Sequence, residues 1–102
     1  MSIVDQLIQQ RVQEVASINS IRGPLSEESS KKLSDLIKKS SELRGRDLFY
    51  PFISSGRGNG PYVELVDGSV KLDFIGGIGV YLLGHCHPIL MKSMAEAATE
   101  DM

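Results

Sequence analysis

The chain has 102 residues, of which 41% are hydrophobic, and its 11 basic and 13 acidic side chains give a formal net charge of −2. This length and composition fit one small domain with a modest core. Nucleic-acid binding is not expected, because no basic patch is interleaved with aromatic residues. No apolar run approaches the ~20 residues of a membrane span, and the N-terminus lacks the pattern of a signal peptide. With Cys86 as the single cysteine, the sequence indicates a soluble cytoplasmic protein with no membrane partner.

The N-terminal part predicts an amphipathic helix over residues 3–17. Its apolar residues recur at steps of one, three and four, which places them on one stripe: Ile3, Val4, Leu7, Ile8, Val12 and Val15. Ser2 and Asp5 supply a capping box at the start of the helix. Residues 19–24, which end in Gly-Pro, predict the turn to a second helix.

The second helix is predicted over residues 27–43. Ser26 is its expected N-cap, and Gly45 is the residue expected to end it. Its apolar stripe comprises Leu33, Leu36, Ile37 and Leu43, and its lysines are expected on the solvated side. Residues 44–60 are rich in Gly and Ser and predict an irregular connector.

Two β-rich runs, residues 62–66 and 69–75, predict a β-hairpin. They are separated by Asp67-Gly68, a dipeptide that favours the positive φ angles of a type I′ turn. Apolar and charged residues alternate in the second run, so one face is expected to seek a core. A hairpin alone is marginal in water, and this one therefore requires cover from a helix or another strand.

Pro88 predicts the first turn of a third helix, with His87 as its cap. The expected apolar face of this helix comprises Leu90, Met94, Ala97 and Ala98. No Gly, Asn or basic residue caps its far end, so we expect the helix to belong to a longer protein.

His85, Cys86 and His87 place three potential metal ligands in consecutive positions. A structural zinc site draws about four ligands, usually from two clusters, and the sequence offers no second cluster. Cys86 beside a histidine is also a conceivable nucleophile, although no orienting third group or oxyanion hole is evident. The favoured interpretation is structural, with His87 capping the helix and His85 hydrogen-bonding the backbone nearby; metal binding and nucleophilic catalysis stay as alternatives.

Two glycine sets suggest phosphate binding at first sight, because bare backbone N–H groups can hold anions. The first set, Gly56, Gly58 and Gly60, precedes a strand and predicts an entry turn. The second set, Gly76, Gly77 and Gly79, is separated from the next helix by four residues and predicts close backbone packing, with contact to a ligand as the alternative.

The segment from Gly56 to the end of the chain resembles the class III pyridoxal-phosphate (PLP) aminotransferases, the group of ornithine and acetylornithine aminotransferases. The resemblance rests on a strand that ends Leu72-Asp73-Phe74, passes through small residues and leads into Gly84-His85-Cys86-His87-Pro88. The preceding run from Gly58 to Gly68 also matches.

This resemblance implies an α+β fold like the N-terminal part of the small domain of fold-type I PLP aminotransferases, with N-terminal helices, a β-hairpin and a C-terminal helix. Residues 1–45 would form a helical segment, and residues 46–102 would form the segment that matches the family. The implied reaction moves an amino group from an amine or amino acid to a 2-oxo acid, with PLP as the cofactor of the parent enzyme.

The resemblance places Ile78 and Gly79 beside the substrate channel and makes Phe49 and Tyr50 candidate aromatic substrate contacts. It assigns no catalytic, cofactor-binding or metal-binding residue to this chain, because the Schiff-base lysine and the phosphate-binding loop match regions after residue 102. The lysines of the chain are all predicted on solvated faces, whereas a Schiff-base lysine is desolvated.

We therefore expect the chain alone to be inactive and to bind no cofactor, as the N-terminal fragment of an aminotransferase. The alternative is a non-catalytic oligomerisation or interaction module. The expected partners are the remainder of the aminotransferase or further copies of the chain, since the apolar stripes exceed what so short a segment can cover.

Overall fold

Three helices and three strands make up the computed structural model, which describes residues 2–76 and 82–100. In chain order they are α1 (Ile3–Val15), α2 (Glu27–Arg44), β1 (Ser54–Asn59), β2 (Tyr62–Leu65), β3 (Val70–Leu72) and α3 (Pro88–Ala97). The predicted α+β class is confirmed. Within the described ranges, no helix is both long enough and apolar enough to cross a membrane.

The predicted helix caps are confirmed. The Ser2 hydroxyl accepts a hydrogen bond from the backbone N–H of Asp5 at 3.1 Å and donates one to the Asp5 carboxylate at 2.9 Å. Ser26 caps α2 by accepting from the N–H of Ser29 at 3.0 Å. Gly45 ends α2 with a φ of +76°, a left-handed conformation that glycine adopts without steric cost.

The sheet has the order β1-β2-β3, with both pairs antiparallel. The prediction of an irregular connector over residues 44–60 is wrong at its end, because Ser54–Asn59 forms β1. These residues lack the β-branched and aromatic types typical of strands. β1 forms through its pairing with β2, and the register shifts between Ser54 and Gly58.

The β2–β3 hairpin is confirmed, with shorter strands than predicted, but its turn is not type I′. Gly68 has a φ of +81°, and its N–H donates to the Leu65 carbonyl at 2.9 Å, while the Leu65 N–H donates to the Ser69 carbonyl at 2.9 Å. This pattern is a three-residue loop in which the glycine forms a bulge. The buried Asp67 explains this turn type. Its carboxylate accepts hydrogen bonds from the backbone N–H and the hydroxyl of Ser69 and so fixes the turn.

Residues 19–24 are more than the predicted turn, because Arg22 pairs with the outer edge of β3. The backbones of Arg22 and Val70 exchange hydrogen bonds of 3.2 and 3.0 Å. The Arg22 guanidinium donates to the Gly68 carbonyl at 2.9 Å and to Glu64 at 2.8 Å. The segment between α1 and α2 therefore protects the edge that β3 would otherwise expose.

The core is small and consists of Val15, Ile18 and Val70, with Tyr62 and Cys86 packed against it. Helix α1 packs against α3 and β1. The predicted α1 stripe is only partly buried, since Ile3 and Leu7 are 75% and 59% exposed. Val15, at the C-terminal end of α1, is the residue of the stripe that reaches the core.

The predicted apolar face of α3 also needs correction. Met94 is exposed, as are Ala97 and Ala98, whereas Leu90 and Met91 are half-buried. The contact between α3 and α1 determines which side of α3 is covered. In this contact Lys92 and Asp5 form an ion pair of 3.3 Å.

The described chain is expanded for its size. Its radius of gyration is 15.6 Å, against about 13 Å for a compact domain of ~100 residues. Large apolar side chains are exposed on several elements, among them Leu43, Phe74 and Leu82. This fold leaves apolar surface that a further partner could cover.

Candidate functional site

Asp73 and His85 form a hydrogen-bonded pair that joins the end of β3 to the segment before α3. The Nε2 atom of His85 lies 2.6 Å from Oδ2 of Asp73, and each side chain is 17% exposed. The other carboxylate oxygen, Oδ1, accepts from the backbone N–H groups of Ile75 at 2.9 Å and Gly76 at 2.8 Å. We call Asp73, His85 and these two amides the clasp.

Both halves of the clasp are anchored on the two-residue loop between β1 and β2. The backbones of Gly60 and His85 exchange hydrogen bonds of 3.1 and 2.8 Å. The N–H of Asp73 donates to the Pro61 carbonyl at 2.8 Å. The loop, the end of β3 and the start of α3 are therefore fixed relative to one another.

Two glycines allow the segment before α3 to lie directly on this loop. A Cβ atom on Gly84, whose φ is +90°, would lie 2.9 Å from the Cα of Gly60. A Cβ atom on Gly58 would lie 2.7 Å from the Cβ of His85 and 3.0 Å from the Tyr62 carbonyl oxygen. The structure shows close backbone packing at Gly58 and Gly84. The same packing was predicted at Gly76, Gly77 and Gly79, where it stays a prediction; Gly77 and Gly79 lie outside the described residues.

The clasp favours an ionised aspartate. Hydrogen bonds from the Gly76 N–H and from His85 lower the pKa of Asp73 below its usual value of 3.8, against the opposing effect of burial. An ionised carboxylate only accepts hydrogen bonds, so Nε2 of His85 carries the proton in this contact.

We expect the clasp to make stability depend on pH in acid. The pKa of Asp73 is lower in the folded chain than in the unfolded chain. The contribution of its carboxylate to the free energy of unfolding is therefore complete above about pH 4 and is lost as pH falls through the folded pKa. Asp73→Asn should lower the free energy of unfolding at pH 7 and show a shallower decline below about pH 4. Urea unfolding from pH 2 to 7 checks this. Parallel pH profiles for the two proteins would contradict it.

Cys86 and His87 have structural partners. Cys86 adopts a φ of +59°, its thiol donates to the Met91 sulfur at 3.7 Å, and burial raises its pKa, which disfavours the nucleophilic thiolate. His87 caps α3 as predicted, because its Nδ1 accepts from the Ile89 N–H at 3.2 Å. Among the described residues, no three His, Cys, Asp or Glu side chains are placed to share a metal ion.

The prediction for His85 is half right. His85 forms hydrogen bonds with the nearby backbone of Gly60, as predicted. These bonds come from its own backbone, however, and its ring binds Asp73. Sequence reasoning missed this pair because twelve residues separate its members. The available signal was that Asp73 and His85 belong to the two motifs that carry the family resemblance.

Two clefts border the clasp. One, of about 290 Å³, is lined by Gly60, Pro61, Gly76, Leu83 and Gly84 beside the pair itself. The other lies on the side of Arg11, Phe52, Arg57 and Met91. Asp73 and His85 line both clefts, so the clasp separates them.

The structure does not bring all of the predicted site residues to the clasp. Phe49 and Tyr50 contact each other edge to face, with ring centroids 4.7 Å apart, and are 86% and 56% exposed. They line neither cleft, whereas Phe52 does. Ile78 and Gly79 lie outside the described residues. The substrate contacts at all four positions stay predictions.

Comparison with known proteins finds relatives for part of the chain. It is 48% identical over 42 residues to an acetylornithine aminotransferase of Gloeobacter violaceus and 52% identical over 40 residues to one of Bacillus anthracis. It is also 48% identical over 42 residues to a glutamate-1-semialdehyde 2,1-aminomutase of Symbiobacterium thermophilum. These matches cover 39–41% of this chain and 10% of each relative. No family model matches the chain, and no solved structure matches it significantly.

Proposed function

Because about two fifths of the chain is homologous to class III aminotransferases, a PLP-dependent family, we propose that it is the N-terminal segment of such an enzyme. The whole enzyme transfers an amino group from an amine or amino acid to a 2-oxo acid. The observation that carries this proposal is the identity, over matched stretches of 42 and 40 residues, of 48% and 52% to two acetylornithine aminotransferases.

The clasp supports this proposal by giving the two family motifs a common structural purpose. Asp73 ends the strand motif, and His85 belongs to the motif before α3. Their contact fixes both ends of the segment that carries Ile78 and Gly79. In the proposed enzyme the clasp positions this segment, and Ile78 and Gly79 border the substrate, with Phe49 and Tyr50 as further contacts.

The described residues do not fit PLP. The cofactor is held by a lysine that is desolvated, so that its amine can be neutral. All six lysines of the chain are exposed: Lys31, Lys32, Lys38, Lys39, Lys71 and Lys92. Two of them have surface partners, since Lys71 lies 5.2 Å from the centre of the Phe52 ring and Lys92 pairs with Asp5. In the proposed enzyme, the lysine that holds PLP therefore lies outside this chain.

We expect the 102-residue chain alone to bind PLP at no single lysine and to have no transaminase activity. Exposed lysines offer PLP no desolvated pocket, so adducts should form weakly and without preference for one lysine. Incubation with PLP, reduction with borohydride and mapping of the adducts by mass spectrometry check this, with free lysine as the reference. One stoichiometric adduct on one lysine would overturn the assignment of the lysine to another part of the enzyme.

A second candidate function, a non-catalytic oligomerisation module, is favoured by the expanded shape and the exposed apolar side chains. It differs from the first in requiring no further enzyme segment. Expression of the chain without other segments distinguishes the two, because a module should fold and assemble by itself. A chain that is folded only when the remaining aminotransferase segment is present would support the first candidate.

A further inference from the structure

Asn59 and Gly60, where β1 passes into the β1–β2 loop, form an Asn-Gly dipeptide. In such a dipeptide the backbone nitrogen of glycine can attack the side-chain amide carbon of asparagine, because glycine has no side chain to obstruct the approach. The chain has one other asparagine, Asn19, and it is followed by Ser20. The sequence therefore marks Asn59 as the more reactive asparagine in a flexible chain.

The fold holds both reacting groups of this dipeptide. The Nδ2 atom of the half-buried Asn59 donates to the carbonyl oxygen of Ile18 at 3.1 Å. The Gly60 N–H donates to the carbonyl oxygen of His85 at 3.1 Å. Asn59 also pairs with Tyr62 across the hairpin, which keeps its backbone extended. The reactive dipeptide is thus fixed from three sides.

We propose that Asn59 is a deamidation site that reacts only when the β1–β2 loop opens. The Gly60 nitrogen gives its proton to solvent and forms a bond to the side-chain carbon of Asn59, while the bond from that carbon to Nδ2 breaks and ammonia leaves. Water then opens the succinimide ring at either of its carbonyl groups, which gives aspartate or isoaspartate. The two steps consume one water molecule and release one ammonia, with no oxidation or reduction.

The closed loop prevents this reaction at each of the three contacts. The succinimide nitrogen carries no hydrogen, so the bond from Gly60 to His85 has to break. Ring closure requires rotation of the Asn59 backbone out of the extended conformation, which removes its pairing with Tyr62. The Nδ2 group that donates to Ile18 has to leave as ammonia. The rate in the folded chain is therefore limited by the fraction of molecules in which this loop is open.

Deamidation would make the opening of the loop permanent. An aspartate in place of Asn59 has no N–H for the carbonyl of the core residue Ile18, and it brings a carboxylate towards that oxygen. Isoaspartate adds a methylene group to the backbone and so shifts the register of β1 on β2. This inference does not depend on the proposed function, because it uses only the contacts of Asn59 and Gly60.

The substitution Asn59→Asp tests this consequence. It should unfold at a lower concentration of guanidinium chloride than the unaltered chain, because the hydrogen bond to Ile18 is lost. Asn19→Asp makes the same change of charge at an exposed position and is the matched control. It should unfold like the unaltered chain. An equal effect of the two substitutions would contradict the role given to the Asn59 amide.

Comparison of the folded with the unfolded chain tests the protection. The full chain would be incubated in mildly alkaline buffer, with and without concentrated guanidinium chloride. Trypsin then places Asn19 and Asn59 on separate peptides, residues 12–22 and 58–71, in which mass spectrometry measures the conversion of amide to carboxylate. Folding should slow conversion at Asn59 by at least about tenfold, and at the exposed Asn19 by less. Equal rates at Asn59 in both states would overturn the proposal.

Two variants test whether opening of the loop, and not global unfolding, permits the reaction. Gly84→Ala disturbs the contact between Gly60 and His85, whereas Val70→Ala weakens the buried core. In variants that circular dichroism shows to be folded, Gly84→Ala should convert Asn59 about tenfold faster than Val70→Ala does. If either variant is unfolded, the unaltered chain decides: guanidinium chloride below its unfolding transition should change the rate little, because local opening exposes little surface. A rate that follows global unfolding, or that rises equally in the two variants, would overturn the proposal.

Discussion

Replacing Gly84 with alanine is expected to lower the free energy of unfolding by about 2–5 kcal/mol, which combines backbone strain with overpacking. Gly84 has a φ of +90°, and its added Cβ would lie 2.9 Å from the Cα of Gly60. The three atoms nearest to this Cβ all belong to the Gly60 backbone, so no side chain can rotate away. Relief requires the segment before α3 to leave the β1–β2 loop, which breaks the backbone pair between Gly60 and His85.

Two other glycines separate the effect of backbone strain from that of overpacking. Gly45 has a φ of +76° but open space around its Cβ position, so Gly45→Ala should cost only the strain, about 1 kcal/mol. Gly23 has neither a positive φ nor a close neighbour, and Gly23→Ala should change stability by less than about 1 kcal/mol. Urea unfolding followed by circular dichroism gives all three values. If Gly84→Ala costs no more than Gly45→Ala, the close approach at the loop is refuted.

The second large effect is expected at Val70, whose side chain is fully buried. Val70→Ala should cost about 2–3 kcal/mol, because two methyl groups leave the core and a cavity remains. The cost is a large share of the total, since Val15, Ile18 and Val70 form nearly the whole core. Val70 also lies between β2 and the Arg22 segment, so both contacts of β3 depend on its position.

Leu72→Ala is the matched control, because Leu72 lies two residues along the same strand and is 39% exposed. It removes more carbon atoms than Val70→Ala and yet should cost less, under about 1 kcal/mol, because its side chain is already partly in water. The two variants would be compared by urea unfolding under the same conditions. Equal costs would mean that Val70 is not the centre of the core.

Features that depend on neighbouring residues could be predicted from the sequence. Ser2, Ser26, Gly45 and His87 each cap a helix within a few residues of their own position, so local chemistry identifies them. The hairpin was predictable for the same reason, because strand patterning and Asp67-Gly68 are adjacent. Its turn type was not, since it depends on how the buried Asp67 carboxylate is satisfied.

Features made by distant contacts could not be predicted. β1 has a weak strand sequence and forms because β2 offers it a partner. Arg22 joins β3 through a single residue, which leaves no periodic pattern to detect. The contact between Asp73 and His85 depends on how the β1–β2 loop brings two segments together. Which faces of α1 and α3 are buried also depends on tertiary contacts. Ile3 and Met94, which were predicted on apolar faces, are therefore exposed.

A chimeric enzyme tests whether this chain supplies a segment of an aminotransferase. In the acetylornithine aminotransferase of Gloeobacter violaceus, the matched stretch of 42 residues would be replaced by the corresponding stretch of this chain. The measurement is kcat/KM for the transamination that gives that enzyme its name, with PLP content determined spectroscopically. We expect an active chimera that loses most of its activity when Asp73→Ala is added, because Asp73 no longer joins the end of β3 to His85. A folded chimera that holds PLP and has no activity would contradict it.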